Sequence, residues 1–175
     1  MKDNIKVLIS EDEIKNRLKE IAKSINEEFA GSEVVLVCIL KGSVYILCEL
    51  SKYITVPVTL DFMSVSSYGN STESSGRVRI IKDLDENIKD KNVIIIEDII
   101  DSGRTLTYLA ELLQARKPRS LKICTLLDKP DRREEGYDIE VDYVGFTIPD
   151  KFVVGYGLDY AQNFRNLPYI GYIEN

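Results

Sequence analysis

The chain has 175 residues, of which 44% are apolar and 30% charged, and its formal net charge is −6. This length is typical of one domain with a sizeable core, and we expect residues 1–175 to form a single domain. The acidic balance disfavours a general nucleic-acid binder, which usually carries a basic excess or stripe. Because the sequence contains no histidine, Ser/His and Cys/His nucleophilic pairs and histidine-ligated zinc are excluded. Carboxylates, lysines, arginines and tyrosines must therefore carry any chemistry.

The sequence also predicts the compartment. No apolar run approaches the roughly 20 residues that span a bilayer, and residues 1–13 lack the apolar stretch of a secretory signal. Cys38, Cys48 and Cys124 lie in apolar segments without CxxC spacing, so we expect small buried side chains in a reducing environment. A cytoplasmic protein without membrane or nucleic-acid partners is expected.

Predicted strands and helices alternate along the chain. Ser10 and Glu13 fit a capping box ahead of an apolar pattern at helical spacing, which predicts an amphipathic helix over residues 11–30. Further helices are predicted over residues 43–54 and after Ser102. Apolar, β-branched runs predict strands over residues 33–40, 57–65, 77–81, 92–97, 121–127, 142–148 and 169–174. This alternation favours an α/β fold with a mostly parallel central sheet flanked by helices, and a small subdomain formed near both termini.

One stretch, NVIIIEDIIDSGRT from Asn92, joins an isoleucine-rich strand to three carboxylates and a small, hydroxyl-rich turn. Glu97 and Asp98 fall at the predicted end of the strand, and Asp101 precedes the turn at residues 102–105, where the next helix begins. In an open parallel sheet, ligands bind where the carboxyl ends of strands meet the N-termini of the following helices. The stretch is therefore the first candidate site.

The turn has the properties of a phosphate site. The first amides of the helix are unpaired, Gly103 allows close backbone approach, and Ser102 and Thr105 add hydroxyl donors. Glu97 and Asp98 can accept hydrogen bonds from the vicinal hydroxyls of a ribose, directly or through Mg²⁺ and water. Together these features predict a ribose 5-phosphate site. The alternative is a solvated acidic loop followed by an ordinary capped helix, and neither GxxxxGK[ST] nor GxGxxG is present.

The segment VIIIEDIIDSGRT resembles the phosphoribosyl pyrophosphate (PRPP) motif of type I phosphoribosyltransferases, with an apolar strand, two acids and a D-[ST]-G-x-T loop. Four more segments resemble the hypoxanthine-guanine branch in order and interval: ILKGS (39–43), SSYGNSTESSG (66–76), LLDKP (126–130) and IPDKFVVGYGLDYAQNFRNLPYIG (148–171). The resemblance covers nearly the whole chain from about residue 33. It implies the type I phosphoribosyltransferase fold with a small hood subdomain from the chain termini. It also implies Mg²⁺ as cofactor, PRPP and a 6-oxopurine as substrates, and a homodimer or homotetramer.

The resemblance also assigns roles on the PRPP side. Glu97 and Asp98 would contact the ribose hydroxyls and a metal hydrate. The 5-phosphate would be bound by the loop that contains Asp101, Ser102, Gly103, Arg104 and Thr105. Asp101 would also approach N7 of the purine, either as a general base or to hold the ring. A plain helix-capping carboxylate is the alternative for Asp101.

A second loop is assigned to pyrophosphate. Leu40, Lys41 and Gly42 lie between a strand end and a helix start, where exposed amides and one lysine could bind it. The family usually has a non-proline cis peptide here, which would join Leu40 to Lys41. The resemblance implies Arg165 as a second pyrophosphate contact and Asp159 as a ligand to a second Mg²⁺. A turn lysine and a surface arginine are the alternatives.

The purine site is implied by the same resemblance. Lys151 resembles the lysine that donates to the 6-oxo group, Phe152 would stack on the ring, and Val153 would offer backbone groups to the Watson–Crick edge. Lys129 would brace the site, and the backbone of Asp159 would reach a 2-amino group of the purine. An ammonium donor disfavours adenine, because opposed donors would leave buried groups unpaired.

The polar segment 66–76 has two interpretations, a disordered insertion or a lid that closes over the reacting centre. As a lid it would bring Ser67 and Tyr68 to the pyrophosphate side.

The predicted reaction is transfer of a 5-phosphoribosyl group from PRPP to N9 of hypoxanthine or guanine, giving IMP or GMP. A xanthine-guanine or adenine enzyme is the nearest alternative. An RNA-binding regulator of pyrimidine genes that kept the same fold is the alternative from another class, and the acidic charge disfavours it.

Overall fold

The computed structural model describes residues 5–67, 78–137 and 139–173. Its helices are α1 (Glu11–Glu28), α2 (Val44–Ser51) and α3 (Arg104–Gln114), with a short 3-10 turn at Pro130–Arg132. The strands are β1 (Ile5–Ile9), β2 (Val34–Leu40), β3 (Val58–Ser67), β4 (Val78–Lys82), β5 (Asn92–Ile100), β6 (Ser120–Asp128), β7 (Tyr143–Thr147), β8 (Val153–Val154) and β9 (Ile170–Ile173). No helix in these ranges is long and apolar enough to cross a membrane.

The central sheet has six strands in the order β4-β3-β2-β5-β6-β7. Every neighbouring pair is parallel except β3 and β4, which are antiparallel. The predicted α/β fold with a mostly parallel sheet is confirmed. Strand β2 is buried from Val34 to Ile39, because helices cover both faces of the sheet, which is why its sequence is a continuous apolar run.

Alternation along β5 divides the core into two layers. Ile94 and Ile96 pack with α1 and α2 on one face of the sheet. Val93 and Ile95 face the opposite way and pack with Leu109 and its neighbours on α3. The carboxyl end of β5 is therefore held between two packed layers, which fixes the position of the acids that follow.

The ends of α1 and α2 follow local chemistry. The hydroxyl oxygen of Ser10 accepts a hydrogen bond from the Glu13 amide at 3.3 Å, and the Glu13 carboxylate accepts from the Ser10 amide at 2.8 Å. The predicted capping box is thus confirmed. Helix α2 ends at Ser51, three residues earlier than predicted, because the β-branched run before Pro57 disfavours helical backbone.

The chain termini form a second, three-stranded sheet in the order β1-β9-β8, with both pairs antiparallel. This confirms the predicted hood subdomain. The hood carries β8, so residues near Val153 are positioned by strands from both ends of the chain.

Two predictions are corrected. Strand β5 runs to Ile100, so Glu97 and Asp98 lie within the strand and not at its end, because Ile99 and Ile100 continue the parallel pairing with β6. Tertiary pairing overrides the local polarity here. Cys48, expected to be buried, is exposed on α2, whereas Cys38 and Cys124 are buried as predicted.

Candidate active site

The turn between β5 and α3 borders an open pocket of about 150 Å³, which we call the turn cavity. At the N-cap of α3, Gly103 has φ +86°, and a Cβ there would lie 2.7 Å from the Tyr137 carbonyl oxygen. Only glycine fits this backbone without strain. The cavity is lined by Glu97, Ile99, Ile100, Asp101, Ser102, Gly103, Thr105 and Leu106.

The acid pair has raised proton affinity. Burial is the main cause that raises the pKa of Glu97 well above its ordinary value, and the charge of Asp98 raises it further. Burial also raises the pKa of Asp98 to about 6, although the Ile99 amide and the charge of Arg165 act in the opposite direction. The Ser43 hydroxyl lies 3.4 Å from Glu97 Oε2. Both carboxylates therefore favour a ligand that brings positive charge or hydrogen-bond donors.

The carboxylate oxygens of this pair fit a magnesium ion better than a transition metal. Among the described residues, no group of three or more His, Cys, Asp or Glu side chains is arranged to hold a metal. A cation bound by Glu97 and Asp98 would therefore complete its shell with water or substrate oxygens. Mg²⁺ is commonly bound in this way, by one or two carboxylates with waters and phosphates.

Two loops that are far apart in the sequence meet at Asp98. The peptide between Leu40 and Lys41 is cis, as the resemblance implied. A Cβ on Gly42 would overlap the Asp98 carboxylate, and a Cβ on Gly157 would overlap the Gly42 carbonyl. The loop after β2, the acid on β5 and the turn after β8 are therefore packed together with no space for side chains.

Arg165 and Asp159 lie beside this contact. Arg165 Nη2 pairs with Asp159 Oδ1 at 2.7 Å, and Nη1 donates to the Gly157 carbonyl at 2.7 Å. The charges of both residues act on the pKa of Asp98. The structure thus gathers the two residues assigned to pyrophosphate and to a second metal into one cluster with the acid pair.

Asp101 begins a chain of ion pairs. Its carboxylate, 48% exposed, lies 3.1 Å from Arg132 Nε, and Arg132 Nη1 lies 3.7 Å from Asp150 Oδ2. Asp150 Oδ1 is 3.7 Å from the ammonium of Lys129, a side chain only 8% exposed. The Lys129 amide also donates to the Ile100 carbonyl at 3.0 Å. Lys129 is therefore a buried cation next to the end of β5.

The other residues assigned to the purine lie towards the hood. The ammonium of Lys151 sits 3.9 Å from the centre of the Tyr172 ring, a cation–π contact. Phe152, 55% exposed, meets Tyr160 edge-to-face with ring centres 5.5 Å apart. Val153 is buried in β8. An exposed aromatic ring at this edge is available for stacking.

A family model described as a phosphoribosyl transferase domain matches residues 10–161. The chain belongs to this family. It is 53% identical to the hypoxanthine phosphoribosyltransferase of Salmonella typhimurium over 98% of this chain and 96% of that protein. It is also 53% identical to the hypoxanthine-guanine phosphoribosyltransferase of Bacillus subtilis, over 99% and 96%. A crystal structure of the Staphylococcus aureus hypoxanthine phosphoribosyltransferase is similar at a TM-score of 0.94 and 51% identity, over 99% of this chain and 94% of that one.

Arg104 of this phosphoribosyltransferase does not line the turn cavity. Its guanidinium pairs with Glu134 and lies 5.6 Å from the centre of the Tyr137 ring. Both partners belong to the segment after β6, on the other side of the turn. The Arg104 side chain therefore connects the turn to a neighbouring loop, and its backbone amide donates to the Ser102 hydroxyl oxygen at 3.4 Å.

No prediction from the sequence covered the segment that contacts the turn, which includes Arg132, Arg133, Glu134 and Tyr137. The signal was the charged run DRREE directly after β6, since loops that follow adjacent parallel strands meet at the same sheet edge. For the predicted lid, the structure describes the backbone of Ser67 as the last residue of β3. Tyr68 and the rest of that segment lie outside the described residues.

The first prediction concerns stability. Because its folded-state pKa of about 6 exceeds the ordinary 3.8, Asp98 binds more protons in the folded chain between these pH values, so stability without ligand falls as pH rises through the window. We expect Asp98→Asn to raise the melting temperature of the ligand-free protein at pH 7.5 by about 3–6 °C, with no gain near pH 4. Differential scanning calorimetry measures this, with the exposed Asp131→Asn as control. A lower melting temperature at pH 7.5 would contradict the assignment.

Proposed function

We propose that this phosphoribosyltransferase transfers the 5-phosphoribosyl group of PRPP to N9 of hypoxanthine or guanine, giving IMP or GMP and pyrophosphate. One observation carries the proposal. Glu97 lines the turn cavity, while the adjacent Asp98 lies against Gly42 of the cis-peptide loop. PRPP has a phosphate on C5′, a diol in the middle and pyrophosphate on C1′, and the cavity, acid pair and loop match that order.

The chemistry follows from charge. As pyrophosphate departs, C1′ develops positive charge and the leaving group retains negative charge. Lys41, Arg165 and the loop amides would neutralise the leaving group. A Mg²⁺ ion held by Glu97 and Asp98, and a second Mg²⁺ held by Asp159, would supply further neutralisation of the pyrophosphate oxygens. The 5-phosphate would be bound by amides and hydroxyls of the turn from Asp101 to Thr105.

The purine would lie between the ion-pair chain and the hood. Phe152 would stack on the ring and Val153 would offer backbone groups to its edge. Asp101 would accept the N7 proton as N9 attacks, or hold the ring. Ser67 and Tyr68 would close over the pyrophosphate side as part of a lid, which excludes water from a donor that hydrolyses.

The proposal also covers the oligomeric state and the compartment of the protein. We propose that residues 1–175 act as one domain in the cytoplasm, and that the chain forms a homodimer or homotetramer. Val58 and Leu60 on β3 are exposed apolar side chains that a second copy would cover. Sedimentation velocity tests this, since a mass of 19.9 kDa would identify a monomer.

Product formation tests the reaction directly. With PRPP, Mg²⁺ and a mixture of hypoxanthine, guanine, xanthine and adenine, we expect IMP and GMP as the main nucleotides by chromatography. Excess EDTA should abolish turnover, because the acid pair then lacks its neutralising cation. Adenine as the best acceptor would refute the base site, and xanthine as the best acceptor would favour the xanthine-guanine alternative.

The role of Asp101 has a separate test. We expect Asp101→Asn to lower kcat by about 100-fold, the low end of general-base contributions, while the Kd for PRPP changes by less than about threefold. Single-turnover kinetics and calorimetry separate the two quantities. A near-normal kcat would leave Asp101 with a holding role only.

Two lysines compete for the 6-oxo contact. The resemblance favours Lys151, whereas burial and the ion-pair chain to Asp101 favour Lys129, because a buried ammonium discriminates a carbonyl acceptor more strongly. We expect Lys129→Met to raise the KM for hypoxanthine by about tenfold or more, the loss of one charged hydrogen bond. Lys151→Met is the matched variant and should have a smaller effect. The reverse order would return the contact to Lys151.

A further inference from the structure

Residues 133–137, here called the strap, contact the turn on the side away from the turn cavity. The Arg133 guanidinium donates from Nη1 to the Asp101 carbonyl at 2.8 Å. The Glu134 amide donates to the Ser102 carbonyl at 3.1 Å. The Tyr137 carbonyl lies against Gly103. One short segment therefore contacts the backbone of three consecutive turn residues, through the Arg133 side chain and through its own backbone at Glu134 and Tyr137.

These contacts fix the direction of two peptide planes. In a planar trans peptide the C=O and the following N–H point in opposite directions. When the Asp101 and Ser102 carbonyls are bound by the strap, the amides of Ser102 and Gly103 must face the other way. Both residues line the turn cavity. Within residues 5–67, 78–137 and 139–173, neither amide has a hydrogen-bond acceptor.

Arg133 is the anchored member of the strap. Its Nη2 pairs with Asp128 Oδ1 at 2.5 Å, and the two side chains are only 14% and 18% exposed. The guanidinium thus bridges the end of β6 to the Asp101 carbonyl at the end of β5. A cation on that carbonyl also polarises the peptide, which makes the Ser102 amide a stronger donor. A lysine lacks the rigid, planar fork whose two nitrogens bind the Asp128 carboxylate and the Asp101 carbonyl here.

We infer that Arg133 is a positioning residue for phosphate binding: through the Asp101 carbonyl it aims turn amides at the cavity without touching the ligand. The inference rests on the proposed function, since it names the residue that prepares the 5-phosphate site. It differs from a purely structural role because its loss should weaken the phosphate-bearing ligand and leave the purine side unchanged.

Calorimetric titration with ribose 5-phosphate tests the inference on the full chain. We expect Arg133→Lys to raise the Kd by about tenfold, the loss of one charged hydrogen bond, with the KM for hypoxanthine within about twofold of wild type. The matched control is Arg116→Lys, which removes a paired arginine from the Asp83 contact at 2.8 Å, away from the turn. That variant should bind ribose 5-phosphate as the wild type does.

A second pair of variants isolates the other contact. Glu134→Pro deletes the amide that donates to Ser102, and Arg133 has ψ 132°, a backbone conformation that suits a residue before proline. Glu134→Ala keeps the amide and removes only the carboxylate that pairs with Arg104. We expect the proline variant to bind ribose 5-phosphate about fivefold more weakly than the alanine variant, as for one net hydrogen bond.

The outcomes separate two claims. If wild-type protein makes IMP but Arg133→Lys binds ribose 5-phosphate normally, the positioning role is overturned and the proposed function stands. If Arg133→Lys does not fold, the Glu134 pair decides, and equal Kd values for proline and alanine overturn the inference. Wild-type protein that makes no IMP and does not bind ribose 5-phosphate would overturn both claims.

Discussion

The partial burial of two adjacent carboxylates is the constraint on which the rest of the site depends. Removing ionised Glu97 and Asp98 from water is unfavourable unless a partner neutralises them. The raised pKa of both groups records that cost. A ligand that brought a diol and a hydrated cation would relieve it, so the destabilisation of the unliganded protein would be recovered as affinity for such a ligand. The two carboxylates thus lower the stability of the unliganded protein and would strengthen its binding of such a ligand.

Close backbone approach sets the spacing around that pair. Gly42 lies against Asp98 and Gly157 lies against Gly42, in each case without room for a Cβ. Three segments far apart in sequence are thereby held at fixed separation, which would pre-organise the proposed contacts to a leaving group. Gly103 serves the turn similarly, against the Tyr137 carbonyl. Close contacts at these glycines therefore set the geometry of the site, and the side chains are positioned within it.

Local patterns predicted much of this arrangement. The acid pair and the turn adjoin each other in the sequence, and the capping box at Ser10 is likewise a local pattern. Each of these features could therefore be predicted from neighbouring residues. The direction of Arg104, the burial of Lys129 and the exposure of Cys48 depend on which elements pack beside them. The sequence alone does not show which elements are neighbours, because the strand order is set by long-range pairing. The strap was not predicted for the same reason, because the turn that it contacts follows a different strand.

The hood links the two ends of the chain. Strand β9 is the hydrogen-bonded neighbour of both β1 and β8, which do not pair with each other. Val153 and the exposed Phe152 beside it therefore take their place only when the last strand is present. During ribosomal synthesis β8 therefore lacks its strand partner until Ile170–Ile173 emerge, whereas the strands of the central sheet have already been made. The hood thus takes its final form after the central sheet.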